Sequence, residues 1–378
     1  MKRYALLALV LVLAVTGGLL AGCSKGSKEI VIGFVGPLTG GSSFLGETGQ
    51  KAVQLAVDEI NAQGGVRGKQ IRVVFENDQS TPADGLAAVN KLIDQDKAIA
   101  LIGPFNSSVT LAILDTIETK KVPIITTACN TTICSQGKQF VFRATFDNKV
   151  QGIGLANYVL GDLGITKVAV LYPNDDFGIE LKDFFVQTAE AKTGVDLASI
   201  QGYNGGTTDF YGILTGIKPL KPQAIILCGY VEDSAQIMRQ AKELGIKTLF
   251  FGYGALADDS LQTLAGAACE GLRLVTTFEP NYPLNQVGTD LVAKYKAKYG
   301  EDANNYSGES YGAILTLLDA LDRAVTLDGQ GVRDAIATAN LDVPIGTMSF
   351  DATGQCSAKM VIAEIKDGKR VLSDVQPQ

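Results

Sequence analysis

The segment Ile102-Gly103-Pro104-Phe105-Asn106-Ser107-Ser108 carries the residue types best placed for chemistry. An apolar run, Ala98 to Gly103, stops there, and two serines open the helix-like stretch Ser107 to Thr119. The first turn of a helix leaves backbone N–H groups without partners, and its dipole favours negative charge. Serine hydroxyls add donors, so the segment suits a bound carboxylate or other anion. The same residues suit a plain helix cap, and the sequence alone leaves both readings open. A second polar segment, Ile125-Thr126-Thr127-Ala128-Cys129-Asn130-Thr131, ends the next strand-like run. Its carbonyls and amide could share a ligand with the serines, or it is an ordinary polar loop. Tyr172 to Gly178, with Phe177, and Cys228-Gly229-Tyr230 end later strand-like runs. Their rings pack in a core, or sandwich an apolar ligand group if they face a cleft.

Enzyme chemistry finds little support. Histidine is absent from the 378 residues, which removes Ser-His-Asp and Cys-His machinery and His-ligated zinc. There is no phosphate-loop motif and no complete G-x-G-x-x-G. The adjacent acids Asp175-Asp176 and Asp258-Asp259 fit helix starts better than acid–base pairs, and neither matches a calcium loop. No cofactor and no metal are expected, and the chain reads as a binder.

These segments need a scaffold, and the chain alternates strand-like and helix-like stretches. Glu29 to Val35, Ile71 to Glu76, Ala98 to Gly103 and Val122 to Thr126 read as strands. Helices Glu47 to Gln63, Pro82 to Asp94 and Ser107 to Thr119 lie between them. A second series runs through Lys167 to Tyr172, a strand near Ile200, Ala224 to Leu227 and Thr248 to Phe251. Such alternation implies parallel sheets covered by helices, and ligands of such sheets bind beyond the carboxyl ends of the strands. The tail instead reads as successive helices, Leu291 to Tyr299, Gly308 to Val325 and Gly329 to Asn340, then strand-like runs at Gly346 to Phe350 and Lys359 to Ile365. A chain that returns to decorate lobes already built crosses between them more than once, which makes a hinge and a cleft.

The first 22 residues have the layout of an export signal: Lys2 and Arg3, an uncharged run from Ala5 to Leu20, then Ala21 and Gly22 before Cys23. The run is shorter than the ~20 residues of a spanning helix. Leu20-Ala21-Gly22-Cys23 resembles the bacterial lipobox, which implies a lipid on the Cys23 thiol and residues 23–28 as a short leash. A cleaved signal followed by an incidental cysteine is the alternative. Without residues 1–22 the chain has 31 basic and 40 acidic residues, a net charge of −9. That balance argues against nucleic-acid partners. Outside the cytoplasm a disulfide between Cys129 and Cys134 is expected, against the alternative of two separate buried thiols.

The order of these segments resembles the branched-chain amino-acid binding proteins of ABC importers, nearly end to end. The resemblance is carried by Ile32-Gly33-Phe34-Val35-Gly36-Pro37-Leu38-Thr39-Gly40, Ala56-Val57-Asp58-Glu59-Ile60-Asn61-Ala62-Gln63-Gly64-Gly65, Phe142-Arg143-Ala144-Thr145-Phe146-Asp147 and Gln236-Ile237-Met238-Arg239-Gln240-Ala241. It implies the type I periplasmic-binding fold: an α/β protein of two doubly wound parallel-sheet lobes joined by a three-strand hinge. The expected lobes are 29–147 plus 278–355 and 148–277 plus 356–378. The resemblance further implies that Ser107, flanked by Asn106 and Ser108, holds a ligand carboxylate. Ala128 would offer a carbonyl, and Asn130 stands where amino-acid binders usually have threonine. Leu45 and Phe105 would be apolar walls, and Phe177, Tyr230 and Tyr306 aromatic contacts. Gly254 occupies the position of the family's ammonium-pairing acid; Asp175, Asp176, Glu232 or Asp233 would have to substitute, or the ligand is not an α-amino acid.

The expected function is therefore an extracytoplasmic lipoprotein that clamps a small carboxylate-bearing solute, first a branched-chain or aliphatic amino acid. Its partners would be that solute, ABC permease subunits and a membrane lipid anchor, with the protein itself a monomer. Alternatives are a binder of an amide, urea or aromatic carboxylate, and a ligand sensor for a membrane receptor.

Overall fold

A computed structural model describes residues 29–40 and 42–376. The expected signal segment, Cys23 and the leash lie outside the described residues. Chain order begins with β1 (Glu29–Gly36), α1 (Ser43–Ala62), β2 (Gln70–Asn77), α2 (Pro82–Asp94), β3 (Ala100–Ile102), α3 (Ser107–Lys120) and β4 (Ile124–Thr126). A one-turn α4 (Thr132–Ser135) and β5 (Val141–Arg143) follow. These strands form one parallel sheet in the order β2-β1-β3-β4-β5. β1 is buried along almost its whole length, as a strand covered on both faces must be. α1 buries Ala52, Val53, Ala56 and Val57 on one side. It begins one turn before the expected Glu47 because Phe44 and Leu45 extend its apolar face. It stops where Gly65, at φ +78°, returns its N–H to the Ile60 carbonyl at 2.9 Å.

The second half contains α5 (Asn148–Asn157), β6 (Lys167–Pro173), α6 (Asp176–Glu190), β7 (Asp196–Tyr203), α7 (Tyr211–Ile217), β8 (Ala224–Leu227), α8 (Val231–Glu243), β9 (Leu249–Gly252), α9 (Asp259–Ala265) and β10 (Arg273–Thr276). After these come α10 (Gln286–Tyr299), α11 (Asn305–Arg323), α12 (Gly329–Ala337), the hairpin β11 (Leu341–Val343) and β12 (Gly346–Met348), and finally β13 (Val361–Lys366) and β14 (Lys369–Leu372). The second sheet has the order β14-β13-β10-β9-β8-β6-β7. Its members from β10 to β7 are parallel, while β13 and β14 close one edge antiparallel. This edge makes the second sheet mixed, a difference from a purely parallel lobe.

Two bodies and their crossings follow from the cores. Buried residues from Ile30 to Ala144 share one core with residues from Phe278 to Cys356. Ile362, Ala363 and Ile365 instead join the cores around β6, β8 and β9. The chain therefore passes between the bodies after β5, after β10 and before β13. These crossings are laced together: Arg143 N–H donates to the Gly354 carbonyl at 2.8 Å, and Gln355 Nε2 to the Thr145 carbonyl at 2.7 Å. Cys356 N–H closes on the Arg143 carbonyl at 3.2 Å. Among the described residues no helix is long and apolar enough to cross a membrane.

Candidate functional site

The carboxyl ends of β3 and β4 place the two polar segments side by side. Asn106 holds the N-cap position of α3 in an extended conformation, yet its side chain makes no capping bond. Ser107 is the first helical residue, 2% exposed. The helix is thus not capped by its own serine, which leaves the first-turn N–H groups available. Ser107 Oγ accepts the Asn130 N–H at 3.2 Å. That bond uses a lone pair and leaves the hydroxyl proton free to donate, the polarity a carboxylate requires. Ser108 is half-buried one position on.

The β4 loop is held rigidly behind these donors. Thr126 Oγ1 donates to the Pro104 carbonyl at 2.6 Å and accepts the Ala128 N–H at 3.0 Å, which ties the two loops. Arg143 reaches through the interior: Nη1 donates to the Cys129 carbonyl at 3.2 Å and Nη2 to the Asn130 carbonyl at 2.6 Å. Ala128 is 1% exposed at the end of β4, its N–H taken by Thr126.

The opposite wall comes from the second body. The Phe177 and Tyr230 rings lie 5.4 Å apart, and Tyr230 packs against cores of both bodies. Its hydroxyl donates to Asp175 at 3.1 Å and approaches the Asn106 side chain. Asn106 Oδ1 and Thr127 Oγ1 are buried without partners beside this junction. Tyr306, at the start of α11, packs tilted against Phe105 at 6.3 Å and edge-on against Phe44 at 6.1 Å. Leu45 lies within the first core, whereas Phe44 packs against cores of both bodies and is the α1 residue that spans the gap. Further interbody contacts lie at the start of α6. Asn130 Nδ2 donates to the Asp176 carbonyl at 3.0 Å, and Glu180 accepts the Thr131 N–H at 2.9 Å.

Gly254 opens the single turn after β9, and a Cβ there would meet Asn305 Nδ2 at 3.3 Å. Of the four acids that could replace its missing carboxylate, two are committed elsewhere. Asp175 caps α6 through Gly178 N–H at 2.8 Å, and Asp233 accepts from Tyr230 N–H at 2.9 Å and Tyr203 Oη at 2.7 Å. Asp176 is exposed. Glu232 is half-buried and keeps an unpartnered Oε2. Asp258 caps α9 through Ser260 N–H at 2.8 Å, as an acid at a helix start should.

The expected Cys129–Cys134 disulfide is not formed; both are free thiols. Cys134 sits on α4 in the core beneath the first sheet, while Cys129 packs toward the second body, so the short loop holds them apart. Burial pushes the Cys129 thiol up to about 12, which makes it a poor nucleophile.

The residues missed from sequence are Arg143, Glu180 and Glu309. Arg143 lies in the segment Phe142 to Asp147, where the residue pattern gives it no role. Glu309 could have been noticed as an acid one turn after Tyr306, on the buried first half of its helix. Its carboxyl is buried and pushed up to about 7 by desolvation, as is that of Glu232. Burial likewise raises Asp78 and Asp233 to about 6. An acid raised on folding holds its proton more tightly in the folded chain, so stability falls as pH climbs from the unfolded to the folded value. The melting temperature should therefore be higher near pH 5 than near pH 7.5, as scanning calorimetry can check. A flat or rising profile would mean these carboxyls are not desolvated.

The chain is similar to known proteins in sequence and in fold. The model of a family described as periplasmic binding protein matches residues 29–370. A leucine-, isoleucine-, valine-, threonine- and alanine-binding protein of Pseudomonas aeruginosa is 27% identical over 88% of this chain and 89% of its own. A solved leucine binding protein of Thermotoga maritima is 29% identical with a TM-score of 0.85, covering 92% of this chain and 99% of that one. A branched-chain amino acid transporter substrate binding protein of Streptococcus pneumoniae, solved with isoleucine, is 27% identical with a TM-score of 0.86, covering 92% and 100%.

Proposed function

Because the chain belongs to the periplasmic binding protein family, we propose that it is the extracytoplasmic solute-binding lipoprotein of an ABC importer. It clamps a small carboxylate-bearing solute, first a branched-chain or aliphatic amino acid, between its two lobes. The lobes are 29–147 plus 278–355 and 148–277 plus 356–378. A lipid on Cys23 keeps this monomeric clamp near its permease.

One observation supports the reading above all. The buried, uncapped start of α3 presents Ser107 Oγ with its proton free, opposite the Phe177–Tyr230 wall. A carboxylate satisfies the serine and the first-turn N–H groups, and the rings of Phe105, Tyr306 and Tyr230 exclude water from the apolar remainder. An amine on the solute would bond the Ala128 carbonyl. Gly254 favours the second reading, in which the solute carries no ammonium.

Titration calorimetry of the purified protein with leucine, isoleucine, valine, aliphatic amides, urea and benzoate separates the two readings. Binding of the amino acids supports the first; binding confined to amides or aromatic acids replaces it; no binding to any solute refutes both. Ser107→Ala should weaken a carboxylate solute by about 1–3 kcal/mol, the value of a buried hydrogen bond to a charged group. Unchanged affinity would reduce Ser107 to a structural residue.

A further inference from the structure

The acid missing at position 254 has a counterpart on another element. Glu309 lies on α11, 3% exposed, one turn beyond the cleft residue Tyr306. Its Oε1 accepts from Thr145 Oγ1 at 2.7 Å, on the crossing after β5, and from Asn305 Nδ2 at 3.1 Å. Thr277 Oγ1, on the crossing after β10, lies 2.8 Å from the same oxygen. The carboxylate is thus fixed where two crossings meet, at the floor between the lobes. No donor among the described residues reaches Oε2.

Position 254 looks onto the same place. The Asn305 amide that a Cβ at Gly254 would touch is the amide bonded to Glu309. An acid at 254 and Glu309 would therefore bring two carboxylates to one buried spot, which is costly unless a cation lies between them. Glycine at one position and glutamate at the other keeps a single carboxyl group there. The carboxyl also lies near Cys129, in the β4 loop, and Tyr306, at the start of α11. Glu232 is the rival: it sits half-buried in the first turn of α8, where Asp233 and Asp258 already crowd it with like charge.

We infer that Glu309 pairs the ammonium of the solute, replacing from the cleft floor the carboxylate absent at Gly254. This rests on the carboxylate-clamp reading and narrows it to solutes bearing both a carboxylate and a cationic amine. A neutral or purely anionic solute would leave Glu309 facing it unpaired, which disfavours amides and aromatic acids.

The test compares leucine with 4-methylpentanoate, the same skeleton without the amine, by titration calorimetry on wild type, Glu309→Gln, Glu309→Asp and Glu232→Gln. Wild type should prefer leucine at least tenfold. Glu309→Gln should cut that preference at least tenfold while holding 4-methylpentanoate within threefold; Glu309→Asp should cut it less, and Glu232→Gln hardly. Restoring an acid in the double variant Glu309→Gln with Gly254→Asp should recover part of the preference, which a merely structural role for Glu309 would not produce. If Glu309→Gln fails to fold, a threefold loss of preference in Glu309→Asp carries the test. An unchanged preference in the Glu309 variants, or its loss in Glu232→Gln, overturns the assignment. Tight binding of 4-methylpentanoate without preference for leucine overturns Glu309 alone, whereas a wild type that binds neither compound overturns the carboxylate clamp as well.

Discussion

Gly103→Ala should lower the melting temperature by about 5–15 °C and remove measurable solute binding. Gly103 joins β3 to the serine loop at φ +89°, a region that side chains rarely adopt. A Cβ there would lie 1.9 Å from the Val35 carbonyl oxygen, a backbone atom of the adjoining strand β1. Neither side can yield without breaking the ladder, because Gly103 N–H donates to the Ile125 carbonyl at 3.0 Å. Strain plus overlap puts the cost at about 4 kcal/mol or more, in the exceptional range for one substitution. Gly137→Ala is the matched control: φ is +72°, but nothing lies within 4 Å of the added Cβ. It should cost only about 1 kcal/mol and leave binding unchanged. Equal melting temperatures for the two variants would show that the β1–β3 approach is not as tight as described.

The second large effect is expected from Arg143→Met. Arg143 is fully buried and its guanidinium spans two carbonyls of the β4 loop. Methionine fills much of the space but donates nothing. The Cys129 carbonyl keeps the Asn148 N–H at 2.8 Å, while the Asn130 carbonyl loses its 2.6 Å charged donor and keeps only the Ile133 N–H at 3.2 Å. Losing a buried hydrogen bond from a charged donor costs about 1.5–3 kcal/mol, and the loop that carries Ala128 and Asn130 loses its support. Solute affinity should fall at least tenfold, with the melting temperature lower by several degrees. Arg143→Lys keeps the charge but lacks the planar fork, so it should rescue stability better than affinity. Wild-type affinity in Arg143→Met would show that the loop needs no support from beneath.

The sequence made the alternating elements legible because apolar periodicity reports burial directly. Strands such as β1 and β8 and helices such as α1 carry that pattern over whole turns. The three-residue β5 and the four-residue β10 were not legible: each is too short to show a period, and each contains an arginine. The antiparallel edge of β13 and β14 was equally hidden, since pairing direction is set by connections and not by composition. At the site, Ser107 and Tyr230 stood out because a strand stops beside them. Glu309 did not, because its significance depends on Thr145 and Thr277, distant in sequence and joined only by the crossings. The Cys129–Cys134 expectation failed for a related reason. Spacing in a loop says nothing about which core each thiol enters.

The central claim is that the two lobes close on a solute whose carboxylate rests at the start of α3. A crystal structure of the protein grown with L-leucine tests it most directly. Density for the amino acid is expected between the lobes, its carboxylate on Ser107 Oγ and the first-turn N–H groups of α3, with Tyr230 and Phe177 over its other face. An empty cleft, or leucine bound with its carboxylate away from Ser107, would contradict it.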